Sequence, residues 1–199
     1  MSNLALSVFR KRRTQYSIGK QLPISQEETA ALIKQAVRLA PSSFNSQSSR
    51  VLILFGQHSV KFWDLAKDAL RKIVPAEAFA ATEGKLDGFA AGAGTVLFFE
   101  DQDVIKGLQE QFALYADNFP VWSEHSTGIA QFAVWTALAE AGIGASLQHY
   151  NPLVDEAVQA HWHVPAAWKL RAQMPFGSNE APFGDKAFIE DDKRFIVAG

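Results

Sequence analysis

Ala40-Pro41-Ser42-Ser43-Phe44-Asn45-Ser46-Gln47-Ser48-Ser49-Arg50 joins a helical pattern on its N-terminal side to an apolar run, Val51-Leu52-Ile53-Leu54-Phe55. Pro41 ends the helix, because it has no amide hydrogen and disfavours helical geometry in the residue before it. The small residues that follow let the backbone approach another group closely, while Ser, Asn and Gln supply donors and acceptors. Composition alone also allows a plain solvated connection, since loops between helix and strand are commonly polar.

Upstream, Asn3 to Arg13 reads as an amphipathic helix with a basic end, Arg10-Lys11-Arg12-Arg13. Four cations there either complement the helix dipole or present guanidinium forks to a phosphate. A second helix starts at Ser25, which forms a capping box with Glu28, and runs to Pro41. Ser59 is expected to cap a third helix, with Phe62, Leu65, Ala69, Leu70 and Ile73 on its buried face. Pro75 to Ala91 reads as partly helical, Thr95 to Phe99 as a buried strand, and Asp103 to Tyr115 as helix. From about His125 to Ala141 the residues are apolar nearly all round, so this helix is expected to be buried, in a domain core or between two chains. It stops at Gly142-Ile143-Gly144 before a strand, Ala145 to Tyr150. Asn151-Pro152 predicts an N-cap followed by proline in the first turn of a helix ending near Trp162. Trp168 to Met174 predicts a strand, Pro175 to Asp185 a loop, and the alternating tail Lys186 to Gly199 an edge strand or an arm.

At 199 residues the chain suits one domain over 1–199 that buries about 70% of its unfolded surface. Apolar residues make up 48% and charged residues 20%, with a net charge of −2. That balance creates no basic field for nucleic acid or anionic lipid. Cysteine is absent, so thiolate chemistry and thiolate-bound metals are excluded. His161 and His163 lie two apart, a spacing that does not place them on one helix face as zinc ligands, and no metal site is expected. No apolar run is long enough for a membrane span, and a cytoplasmic location is the default expectation. Gly142-Ile143-Gly144 follows a helix and precedes a strand, the reverse of a dinucleotide-binding turn. Without a nucleophile elbow, Ser42 and Ser43 have no evident base.

Arg12-Arg13-Thr14, Ala40-Pro41-Ser42-Ser43-x-Asn45-Ser46-Gln47, the apolar helix with its Gly-x-Gly stop and a basic residue in the tail, in this order, resemble the nitroreductase family of flavin mononucleotide (FMN) enzymes. Leu147 to Pro152 and the short length look most like a fungal-type subgroup associated with fatty-acid signalling and oxidative stress. The resemblance implies an α+β fold, a small and mostly antiparallel sheet flanked by helices, in a homodimer whose chains share a helical interface. It implies Arg12, Arg13, Thr14 and Lys186 on the FMN phosphate, and Pro41, Ser42, Ser43, Asn45 and Gln47 along the ribityl chain and ring. Leu147, Gln148 and His149 would run beside the ring, mainly through backbone, and Phe44 would border the acceptor. The cofactor would carry hydride from NADH or NADPH to a small electron-poor molecule, so no catalytic side chain is assigned. His149 is otherwise a strand-end imidazole bonded to backbone, and Lys186 a solvated lysine. Thr14 stands where the family has serine, Tyr16 where it often has a basic residue, and 75–91 shows no counterpart of its ring-contacting asparagine. A flavin-containing, redox- or lipid-responsive binding protein is the alternative, and a helical module without cofactor a third reading.

Overall fold

The computed structural model describes residues 3–199. Its centre is β3 (Gly94–Asp101), paired antiparallel with β2 (Ser49–Phe55) on one side and β5 (Trp168–Asn179) on the other. Two short strands, β1 (Ile18–Gly19) and β4 (Gly144–Ala145), add to β5, also antiparallel. Side chains alternate across β3, so Val96 and Phe98 enter one core and Leu97 and Phe99 the other. The first core is closed by Ile33 of α2 (Gln26–Leu39) and by Val134 and Leu138 of α6 (Phe119–Glu140). The second is closed by Phe62 and Trp63 of α3 (Gln57–Leu70), Leu86 and Phe89 of α4 (Phe79–Ala90), and Val158 of α7 (Asp155–Trp162). Burial on both faces explains why β3 reads as an unbroken apolar run. The remaining helices are α1 (Leu4–Lys11) and α5 (Gln102–Gln111). None of the helices among the described residues is long and apolar enough to cross a membrane.

The Ser25–Glu28 capping box forms as expected, and its hydrogen bonds to Ser25 hold the Glu28 carboxyl below its ordinary range. Other boundaries differ. Ser59 lies inside α3, where its hydroxyl is 2.8 Å from that of buried Thr95, and Gly56 precedes the helix instead. The chain expected to form a strand from Ala145 to Tyr150 leaves the ladder after Ala145. Beyond it the Ser146 amide still reaches the Pro175 carbonyl, and Gln148 forms a single bridge to Gln173, whose carboxamide takes the Tyr150 amide at 2.6 Å. Asn151 does not cap α7: its Oδ1 accepts from Gln173 Nε2 at 3.2 Å, the Asn151–Pro152 peptide is cis, and a turn intervenes before Asp155.

β5 does not stop at Met174. Pro175 has no amide to give, but its carbonyl accepts from the Ser146 amide at 3.3 Å, and pairing continues to Asn179. Gly177 permits this crowding, since a Cβ there would lie 2.0 Å from the Gly19 carbonyl oxygen. α5 ends at Gln111 and a tighter 3-10 turn, Ala113–Asn118, leads into α6 six residues before the expected start, with proline in the first turn. α6 is also not buried all round, because Ile129 and Phe132 keep 42% and 41% of their surface exposed. Beyond β5 the tail forms an exposed arm, not an edge strand.

Candidate functional site

The loop leaving α2 is held in an uncommon shape. Phe44, Asn45 and Gln47 have φ of 56°, 50° and 48°, a left-handed conformation that costs a side chain roughly 1–2 kcal/mol and that asparagine tolerates best. Local polar groups offset that cost. Ser42 Oγ accepts from the Gln47 amide at 2.9 Å, and the Ser42 carbonyl accepts from the Asn45 amide at 3.0 Å. The Ser43 amide donates to Ser126 Oγ on α6 at 3.4 Å. The Phe44 ring lies 5.8 Å from Trp122, nearly parallel at 17°, and 5.0 Å and 5.2 Å from Phe112 and Phe119. Edge-on and offset contacts of this kind fix ring orientation. One face of Phe44 remains open, with 49% of the residue exposed.

Beside the loop is a cavity of about 310 Å³, lined by Pro41, Ser42 and Gln47 together with Lys34, Arg38 and Ser49. Lys34 and Arg38 were not anticipated from the sequence, nor were Ser126 and the aromatic support of Phe44. Lys34 and Arg38 were readable as an i, i+4 pair of cations on the exposed face of α2. Ser126, Phe112, Phe119 and Trp122 had no such signal, because only folding brings their helix and turn against the loop.

A second set of residues lies around β4. Thr14 pairs with Ala145 in a single parallel bridge, and the Gln15 amide donates to the Ala145 carbonyl at 2.9 Å. This fixes the chain just after the two arginines. The Arg12 guanidinium sits 4.5 Å over the Trp135 ring, and Arg13 Nη2 donates to the Gly184 carbonyl at 2.5 Å. Neither arginine forms an ion pair among the described residues. Burial, followed by the charge of Arg13, pushes the Arg12 guanidinium below its ordinary value. The Trp135 indole N–H is buried and has no partner among the described residues.

Leu147 is half-buried, Gln148 is buried with its Nε2 3.0 Å from Ser146 Oγ, and His149 is exposed. Lys186 is exposed on the arm, with its ammonium 5.0 Å from the Phe188 ring centroid.

Among the described residues, no hydrogen bond, ion pair or ring contact joins the 41–47 loop to Arg12, Arg13 and Thr14 or to Leu147, Gln148 and His149. An apolar groove of about 660 Å³ meets the loop at Pro41 and is lined further by Phe9, Leu32, Leu39, Ile129 and Phe132. Two adjacent cations without carboxylates and an orphaned indole donor fit a phosphate-bearing ligand; the polar loop fits a hydroxylated chain and a heterocycle edge. The described residues contain no cluster of His, Asp and Glu able to hold a metal ion.

The nitroreductase family model matches residues 9–178. The chain belongs to the nitroreductase family. It is 34% identical over 188 residues to nitroreductase FRM2 of Saccharomyces cerevisiae, a match that covers 94% of this chain and 93% of the relative. Nitroreductase CinD of Lactococcus lactis, solved in complex with chloramphenicol, superposes with a TM-score of 0.90 at 52% identity. That superposition spans 98% of this chain and all of the other. A Desulfovibrio desulfuricans protein solved with FMN shares the fold at 17% identity and a TM-score of 0.70, over 100% of this chain and 99% of its own. The chain is thus a nitroreductase-type oxidoreductase with the nitroreductase-like fold, a small antiparallel sheet flanked by helices.

Proposed function

We propose that this nitroreductase is FMN-dependent and passes a hydride from NADH or NADPH, in a ping-pong cycle, to small electron-poor acceptors such as nitroaromatics or quinones. What carries this proposal is the pair of arginines that have no acidic partner among the described residues, one laid on Trp135 beside an indole N–H unsatisfied among them. FMN, when bound, supplies the two-electron chemistry that no side chain of this protein provides. The relatives support both halves of the reading, since CinD has been solved with 4-nitrophenol and the D. desulfuricans protein with FMN.

Arg12, Arg13, Thr14 and Lys186 hold the phosphate. Pro41, Ser42, Ser43, Asn45 and Gln47 bind the ribityl chain and ring edge, and Leu147, Gln148 and His149 line the ring through their backbone. Donor and acceptor use the same opening in turn, and Phe44, clamped by its aromatic neighbours, borders it. The chain acts as one domain over 1–199 and as a homodimer. Two observations support the pairing: the two residue sets lie apart within one chain, and the apolar groove leaves Ile129 and Phe132 uncovered. A second copy packed on that groove brings the loop of one chain to the arginines of the other and excludes water from the ligand.

Freshly purified protein is expected to be yellow, to release fluorescent flavin on heating, and to oxidise NADH or NADPH when a nitroaromatic is present. Colourless protein that fails to quench added FMN and consumes neither nicotinamide overturns the proposal.

A further inference from the structure

Glu100 is a buried carboxyl with no part in the scheme above. It lies at the end of β3 opposite Ser49, fully buried, and forms no ion pair among the described residues. Ser48 Oγ donates to one of its oxygens at 2.6 Å and Ser49 Oγ to the other at 2.5 Å. Successive strand residues point to opposite faces, so two consecutive serines reach one carboxyl only where the chain turns. That turn is where the left-handed loop rejoins β2. Neighbouring contacts hold the same turn: the Asp101 amide donates to the Ser48 carbonyl at 3.0 Å, and Arg50 pairs with Asp101 at 3.1 Å while donating to the Gln47 carbonyl at 2.5 Å. Ser49 and Gln47 both line the loop-side cavity.

We propose that Glu100 is a positioning residue for the ligand loop: its carboxylate fixes Ser48 and Ser49, and through them sets where Gln47 and Ser42 meet the flavin. This rests on the flavin reading and adds to it a group that touches no ligand. The ionised form accepts from both serines, so their hydroxyl protons are committed to it and Ser49 turns a lone pair toward the cavity. A carboxylate in this place is costly to the fold. Burial raises the Glu100 carboxyl, an effect opposed by the two serines, increased by the charge of Glu124 and reduced by that of Arg171. A group that lowers stability while ordering a binding loop behaves oppositely in the two assays that report on them.

The test compares flavin-free wild type with Glu100→Gln, by quenching of FMN fluorescence on titration and by thermal melting. Glutamine keeps the shape but replaces one acceptor with an uncharged amide donor, so one serine must turn from donating to accepting and both lose the charge-assisted bond. The expected result is a Kd for FMN raised about tenfold, one charge-assisted hydrogen bond, with a Tm no lower than wild type. A Kd within about twofold of wild type overturns the proposal, as does a fall in Tm with Kd unchanged. If Glu100→Gln does not fold, Ser48→Ala removes one donor, leaves the carboxyl in place and is held to the same threshold. Wild type that does not bind FMN removes the flavin reading and this inference together. Wild-type binding matched by the variant removes this inference alone.

Discussion

Around Phe44 the backbone takes left-handed dihedrals at three residues that are not glycine, whereas Thr14, Gln15, Ala145 and Gln148 are held by sheet-like pairing. The loop keeps its shape through side chains: Ser42, Ser126, Glu100 and the aromatic cluster. The arginine side keeps its shape through backbone hydrogen bonds to β4 and β5, strands that also complete the core. Strain held by side-chain contacts can be relieved by single substitutions. A ladder offers no such release, because each change moves the sheet. The two sets should therefore fail differently, one in affinity and the other in folding.

The largest effect is expected on the ladder side. Gly177→Ala would place its Cβ 2.0 Å from the Gly19 carbonyl oxygen, and separating β1 from β5 should cost about 3 kcal/mol. For a chain of this length that is a fall in Tm of roughly 10 °C; an unchanged melt would show that the frame is as pliable as the loop. Arg12→Ala comes next, on affinity. Loss of a charge-assisted contact to phosphate should raise the Kd for FMN about 30-fold in fluorescence titration, with Tm moving by less than about 3 °C. Unchanged flavin occupancy at low flavin concentration would remove Arg12 from the site.

Smaller effects separate strain from binding. Ser42→Ala leaves the Gln47 amide without its acceptor and should cost about 1 kcal/mol by chemical denaturation, while weakening FMN binding more than the destabilisation alone explains. Asn45→Gly should do the reverse for the fold, raising stability by about 0.5 kcal/mol where φ is 50°, yet lowering flavin affinity. A Gly variant that binds as well as wild type would mean that Asn45 contributes only its backbone.

The pH dependence of stability follows the sign of the Glu100 shift. Burial raises this carboxyl in the folded chain, so its contribution is fully present below the ordinary carboxylate range and is lost as pH rises through the raised value. Melts from about pH 5 to about pH 8 should therefore show wild type losing ground to Glu100→Gln. Parallel curves would place the Glu100 carboxyl at its ordinary value.

Much of the fold was legible because its signals are local. The Ser25–Glu28 box, the proline after Ala40, the apolar run on β3 and the glycines that end α6 each act within a few residues, and each forms as read. The misread places are those where a distant group won the competition. Thr95 took the Ser59 hydroxyl, Gln173 took the Tyr150 amide and the Asn151 carboxamide, and Ser146 gave Pro175 the partner that kept it in a strand. The site divides in the same way. Arg12, Arg13 and the Pro41-Ser42-Ser43 run stand out as residue types set in short order along the chain. The Trp122 stack, the Ser126 contact and the Glu100 anchor do not, because their partners lie 51 to 83 positions away.

Sequence by itself determined the family's loop, its pair of arginines and the segments that would become helix or strand, since these depend on periodicity, capping and residue chemistry close along the chain. Only the folded chain reveals that loop and arginines share no contact among the described residues, that α6 leaves Ile129 and Phe132 uncovered, and that a buried carboxyl sits under the loop. Those facts depend on which surfaces meet when the sheet closes its two cores. No local pattern encodes that meeting, because its energy comes from contacts between residues far apart in the chain.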